Sequence, residues 1–229
     1  MSHIPVPSAP PNLYAGPQLR SPRGLSVAVT VLLAVCLAAD LLSIGTEFHI
    51  HDMLGGSISG DEADRADMLL GAVGLVQVLA LAATAVVFII WFHRVRVNAG
   101  IFAQDSQSKG AGWAIGGWFI PFGALWIPRQ IASDVWNAST QAAPDGSWRK
   151  VSQVPVTAWW SAWVLSMALS WVGQGAGRSE VGSVSRSTVE LLMAADAADI
   201  AAAVLAVLFV RKLTRMQHIK ATEGPYATV

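Results

Sequence analysis

Residues 25–48 (LSVAVTVLLAVCLAADLLSIGTEF), 68–92 (MLLGAVGLVQVLALAATAVVFIIWF), 154–174 (VPVTAWWSAWVLSMALSWVGQ) and 188–210 (TVELLMAADAADIAAAVLAVLFV) are long apolar runs separated by more polar segments. A helix rises about 1.5 Å per residue, so about 20 residues cross the hydrocarbon core of a bilayer. Each of the four runs therefore predicts a transmembrane helix. A fifth run, GAGWAIGGWFIPFGALWIP (110–128), is uncharged and nearly as long, but its two prolines and five glycines break a continuous helix. Residues 1–24, rich in Pro, Ser and Gly, predict a disordered tail. Arg20 and Arg23 precede the first run as they would in a secretory signal. That run is too long for a signal, and no small-residue cleavage site follows it, which predicts an uncleaved first span.

The placement of Lys and Arg decides between four spans and five, because short cytoplasmic loops carry the basic excess. With four spans and the N-terminus inside, Arg20, Arg23, Arg94, Arg96, Lys109, Arg129, Arg149, Lys150, Arg211, Lys212, Arg215 and Lys220 lie inside. Only Arg65, Arg178 and Arg186 lie outside. A fifth span would carry everything after residue 128 across the bilayer and leave the two sides nearly equal. The expected fold is an all-α integral membrane protein with both termini cytoplasmic. Its 25–215 membrane domain has four transmembrane helices and a Pro/Gly-broken re-entrant or interfacial segment over 110–140; residues 216–229 form a second tail. Irregular backbone at membrane depth needs cover from protein or water.

Polar positions inside the spans fall on helical faces. Asp40, Ser43 and Glu47 follow one another at i, i+3 and i+7 on the first span, and Gln77, Thr84 and Trp91 repeat at i+7 on the second. Asp196 and Asp199 are i, i+3 neighbours on the fourth. Counted from the outer ends, Asp40 lies roughly 10 Å deep and the other two roughly 12 to 17 Å. A closed bundle sets the first and last spans side by side and brings the three aspartates to one level, facing its interior rather than lipid. No Lys or Arg lies inside any span, so three carboxylates there are not all ionised and unpaired. Either a cation joins them or at least one is protonated at neutral pH. The plainer alternative is packing glue, with the aspartates hydrogen-bonded to Ser, Thr or Gln of neighbouring helices.

Composition narrows the function classes. Charged residues make up 13% of the chain, about half the usual share in a soluble domain. Net charge is zero, which argues against a nucleic-acid partner. The single cysteine, Cys36, excludes an intrachain disulfide and reads as a small buried residue. In the outer loop Glu47, His49, His51, Asp52, Asp61, Glu62, Asp64 and Asp67 offer ligands for a divalent metal, the His-x-His spacing suiting an extended segment. The competing reading makes DEADRAD the acidic start of the second helix, where the dipole favours it. The basic residues around the broken run suit anionic lipid headgroups, or a pyrophosphate or polar substrate head. No phosphate loop, nucleophile elbow or dinucleotide fingerprint occurs.

All ten tryptophans fall between Trp91 and Trp171. An interfacial belt is the plain reading for Trp91, Trp113, Trp148 and Trp171. The W-x-x-R-x-x-x-N start at Trp91, the GGWFIPFGALWIPRQ core and the following VW resemble an actinobacterial family of small four-span membrane proteins of unknown function, over roughly residues 25–215. The resemblance implies the four-span fold in a bacterial cell membrane and no activity.

In size and layout the chain also resembles small bacterial membrane-bound terpene cyclases. That likeness implies a lipophilic, prenylated substrate, with the bilayer as the other partner and no cofactor or metal. A buried aspartic acid donates protons and aromatic faces stabilise cations. On this reading the acid is one of Asp40, Asp196, Asp199 and Glu47. Trp118, Trp159, Trp160, Trp163 and Gln77 line the substrate cavity, and Arg94 and Arg129 meet its polar head. Asp-x-x-Asp here lacks the further acids of the magnesium-binding motif of prenyltransferases. Two alternatives stand beside it: a proton- or cation-coupled transport subunit using the same acids, and a non-catalytic interaction protein docking through IPVPSAPP. The sequence leaves the oligomeric state open.

Overall fold

The structure is a computed structural model that describes residues 18–53, 60–143, 149, 151–179 and 185–225. All regular structure among them is helical: α1 (Arg23–Met53), α2 (Gly60–Phe102), α3 (Trp113–Gly116), α4 (Ile127–Ser139), α5 (Val154–Ser179) and α6 (Arg186–Glu223), with 3₁₀ turns at Gln104–Ser106 and Gly123–Leu125. Three helices, over Arg23–His49, Gly71–Phe102 and Arg186–Glu223, are long and apolar enough to cross a membrane. α5 has the length, with 26 residues, but its four tryptophans and four serines lower its mean hydropathy.

The long helices pack side by side in the order α2–α1–α6–α5, so α1 and α6 form the central pair. The end where α1 begins and α6 finishes is called lower here, and the opposite end upper. Large apolar side chains on α2, including Leu75, Val76, Val78 and Leu79, are half or more exposed. Such an outward face suits lipid rather than water.

The core lies in the lower half. Val29, Trp91, Phe92, Val95, Val156, Val210 and Leu213 from all four long helices are fully buried together with Ile131, Val135 and Trp136 of α4. α4 buries Pro128, Ile131, Ala132, Val135, Trp136 and Ser139, one face at helical spacing, and leaves Arg129, Gln130 and Asn137 exposed. Trp118 wedges between α2 and α5, its ring 5.8 Å from Phe88, 5.9 Å from Phe92, 6.0 Å from Trp160 and 5.7 Å from Trp163. The backbone turns sharply to deliver it. A Cβ on Gly117 would stand 2.7 Å from the Trp113 carbonyl oxygen and 2.6 Å from Ile127 Cγ2, so no larger residue fits without a shift.

Several sequence expectations need correction. α2 extends well past 68–92 at both ends, and α6 runs thirteen residues past 210, to Glu223. Residues 216–223 are therefore helix rather than tail. The reason is specific anchoring: Gln217 Nε2 donates to the Val95 carbonyl at 2.8 Å and Ser139 Oγ at 3.1 Å, and Lys220 Nζ donates to the carbonyls of Ala138 and Thr140. The expected tail 1–24 is also tied down at its end, where the Arg20 backbone exchanges hydrogen bonds with the Asn98 side chain. Trp91 belongs to the core rather than an interfacial belt, being fully buried with its Nε1 donating to Thr214 Oγ1 at 3.1 Å. Trp113 and Trp171 are exposed as belt residues would be. His49 and His51 lie on helix α1, not on an extended segment, so they point to different faces. The expectations for residues 1–17, Trp148 and Lys150, the side chains of Asp67 and Arg178, and residues 226–229 fall outside what the structure describes.

Candidate functional site

The polar stripe on α1 faces the seam between α1 and α6, with α2 and α5 flanking it. Asp40, Ser43 and Glu47 are all buried despite lying on a helix with Val31, Leu41, Leu42 and Phe48 exposed. Asp40 Oδ1 accepts from Gln77 Nε2 of α2 at 3.0 Å. Asp199 Oδ2 of α6 accepts from Ser170 Oγ of α5 at 3.3 Å. Asp196 has Ser43 and Gln77 as close polar neighbours, and its buried Oδ2 has no hydrogen-bond partner. Ser43 Oγ donates to Glu47 Oε1 at 3.5 Å, and the other Glu47 oxygen, buried, also has none. The electrostatic neighbours of Asp40 are Asp196 and Asp199, and that of Glu47 is Asp196.

Together these groups form a ladder. At its upper end His51 Nε2 faces Glu190 Oε1 at 3.5 Å, both partly exposed. One turn down stands Glu47, then Ser43 with Asp196, then Asp40 with Gln77, and Asp199 with Ser170. The foot is Cys36, whose Sγ lies 3.5 Å from Thr84 Oγ1. On α1 the rungs 51, 47, 43, 40 and 36 are three or four residues apart, which keeps them on one face. No Lys or Arg occurs between residues 24 and 53 of α1 or between 187 and 210 of α6. Among the described residues no three His, Cys, Asp or Glu side chains gather as a metal-ligand set, in the outer loop or here.

The aromatic residues form a separate level below the ladder. Phe88 lies one turn below Thr84 on α2, and Trp163 lies about 10 Å below Ser170 on α5. Trp159 and Phe209 stack at 4.5 Å with planes 4° apart, and Trp160 and Trp163 are 4.8 Å apart. Trp159 and Trp160 are buried against their neighbours. Of the tryptophans expected to line a cavity, all four therefore meet one another rather than the acids. Arg94 and Arg129 are farther still. Arg94 lies about 25 Å below Gln77 along α2, its Nη1 reaching the Ser21 carbonyl at 3.5 Å, and Arg129 is exposed on α4.

Sequence reasoning missed Ser170 and the His51–Glu190 pair. The i, i+4 spacing of Ser166 and Ser170 on an otherwise apolar and aromatic helix was the available signal for the former. The Cys36–Thr84 contact was hidden because neither residue is charged.

The family model for a domain of unknown function (DUF4328) matches residues 55–215, more than half of the chain. The chain belongs to that family. No curated protein and no solved structure matches it. The matched stretch takes in Gln77, Trp118, Asp196 and Asp199 and leaves out α1, so the Asp40 and Glu47 side of the ladder lies beyond it.

Proposed function

We propose that the protein is a four-span membrane protein whose acid ladder takes up a proton from the upper face of the bilayer and holds it near mid-depth, as the proton-binding part of a coupled membrane process. The observation that carries this reading is the pair of buried, unpartnered carboxylate oxygens, Glu47 Oε2 and Asp196 Oδ2, in a seam without Lys or Arg. Carboxylates used only as packing glue satisfy their oxygens with donors. Carboxyl groups that exchange a proton keep an oxygen free for it, and chains of Asp, Glu and His are how membrane interiors relay protons. A single file of acids, rather than three converging ligands, suits a proton better than a metal ion. The foot of the ladder rests on packed rings, so this path opens toward one face.

The reagent dicyclohexylcarbodiimide attacks protonated carboxyl groups inside membranes. Labelling at Asp40, Glu47, Asp196 or Asp199 at neutral pH, fading as the pH is raised, is the expected outcome. A water-soluble carbodiimide should modify only exposed acids such as Asp61 and Glu62. Labelling by both reagents restricted to exposed acids would remove the proton site.

The same proposal makes α5 the fourth span, with both termini cytoplasmic and 110–140 re-entrant or interfacial. The packing of α5 along α6 and the basic excess at the lower end support it. In a Cys36→Ala background, an impermeant thiol reagent added to intact cells should label Asp61→Cys and spare Thr222→Cys. Labelling of the latter would reverse the topology.

A second reading, protonation-initiated cyclisation of a prenylated substrate, is favoured by one feature: the rings of Phe88, Trp118 and Trp163 form the next level below the lowest rungs. A polyene held between α2 and α5 would have Asp40 or Asp199 near one end and aromatic faces near the other. Cyclised product that persists in Asp40→Asn, Asp196→Asn and Asp199→Asn alike would discard it.

A further inference from the structure

At the lower end a cleft of about 280 Å³ opens between the end of α4 (Ser139, Thr140), the approach to α5 (Arg149, Ser152) and the last part of α6 (Lys212, Met216). We propose that this cleft binds the phosphate group of an amphiphilic or small phosphate ester, a site separate from the acid ladder.

Charge is the first argument. Arg149 and Lys212 stand on its walls, and among the described residues no acidic side chain lines it and neither cation has a carboxylate partner. Lys212 is also held in place, its Nζ 5.5 Å from the centre of the Trp136 ring. The helix ends favour an anion as well. Ser152 Oγ accepts from the Val154 amide at 3.3 Å at the start of the 26-residue α5, leaving its own proton to donate beside the positive end of that helix. Carbonyls at the end of α4 would repel an anion, but those of Ala138 and Thr140 are occupied by Lys220 Nζ at 2.8 and 2.7 Å. Size and floor agree. The volume is near the lower end for small-molecule sites, on the order of 300 Å³, and Trp136 and Met216 supply an apolar surface for the carbon stem of an ester. Lys212 follows the apolar run of α6 by two residues, which sets it at headgroup depth. That depth is open to both a phospholipid and a soluble ester.

Two arms separate these sources. In the first, the full-length protein is placed in nanodiscs of phosphatidylcholine with phosphatidylglycerol, and retained anionic lipid is counted by native mass spectrometry. In the second, nanodiscs of phosphatidylcholine alone are titrated with glycerol 3-phosphate by calorimetry. Binding in either arm should weaken roughly tenfold or more in the double variant Arg149→Gln/Lys212→Gln, since each lost cation removes a charge-assisted bond to phosphate. Lys212→Arg should retain binding, and Arg65→Gln, an exposed cation at the opposite end of the molecule, should leave it unchanged. Both altered side chains are exposed, so an unchanged melting temperature will confirm that the double variant is folded. Retention in the lipid arm supports a headgroup site, and heat in the second arm supports a soluble ester. The proposal is overturned if wild type binds neither probe, or if the double variant binds as tightly as wild type.

Discussion

Below Thr84 the four long helices are joined by rings and by hydrogen bonds that cross between helices, Trp91 to Thr214, Asn98 to Gln217, and Gln217 onward to Val95 and Ser139, and the buried polar atoms without partners there are neutral ones such as Trp118 Nε1 and Trp136 Nε1. Above it the same helices meet through Ala39, Ala80 and Ala195, and through carboxylates that leave oxygens unpartnered. Lipid tails are as apolar as leucine, so a membrane bundle gains little from hiding aliphatic surface and relies on close packing and hydrogen bonds. The lower half uses both, and among the described residues it leaves only neutral groups unpartnered. The upper half instead leaves ionisable carboxylate oxygens unpartnered, which costs more than a neutral orphan. The contrast sets a lower half held by rings and inter-helix hydrogen bonds against an upper half that buries ionisable groups.

The largest test of that division is Trp91→Ala. It removes a fully buried ring and strands the Thr214 hydroxyl, and should cost about 3 kcal/mol or more in reversible unfolding from detergent micelles. A loss below that of upper-half changes would undo the comparison. Next comes Gln217→Leu, which leaves Asn98 Nδ2 with one acceptor fewer and Ser139 and the Val95 carbonyl without their donor. A loss of about 1 to 3 kcal/mol is expected in the same assay. Asp196→Leu inverts the sign. Replacing a buried carboxylate with an unpartnered oxygen by an apolar side chain should leave stability unchanged or raise it by about 1 kcal/mol, while removing carbodiimide reactivity at that position. The smallest effect is Gly74→Ala on upper α2, where a Cβ meets nothing within 4 Å; helix propensity predicts a gain of at most about 1 kcal/mol.

Much of the fold was legible because bilayer burial leaves a strong signal. The apolar runs located the four long helices, and the Pro- and Gly-rich run marked the break between α2 and α4. Helix ends were less legible. α6 continues to Glu223 because Gln217 and Lys220 find partners on α2 and α4, contacts between residues some 80 to 120 positions apart that no local pattern reports. The acids of the ladder were visible at helical spacing, and periodicity placed Gln77 and Thr84 on one face. What spacing withheld was which neighbour each face meets. Trp118, Trp159, Trp160 and Trp163 carry the same residue type whatever they meet, and only the ring distances show that they meet one another.

The central claim is that a carboxyl group of the ladder is protonated inside the bilayer at neutral pH, and infrared spectroscopy of the reconstituted protein addresses it directly. A carboxylic-acid C=O stretching band should be present at pH 7 in wild type, shift on exchange into D₂O, and disappear in one of Asp40→Asn, Glu47→Gln, Asp196→Asn or Asp199→Asn. Absence of that band at neutral pH, or its persistence in all four variants, would contradict the account.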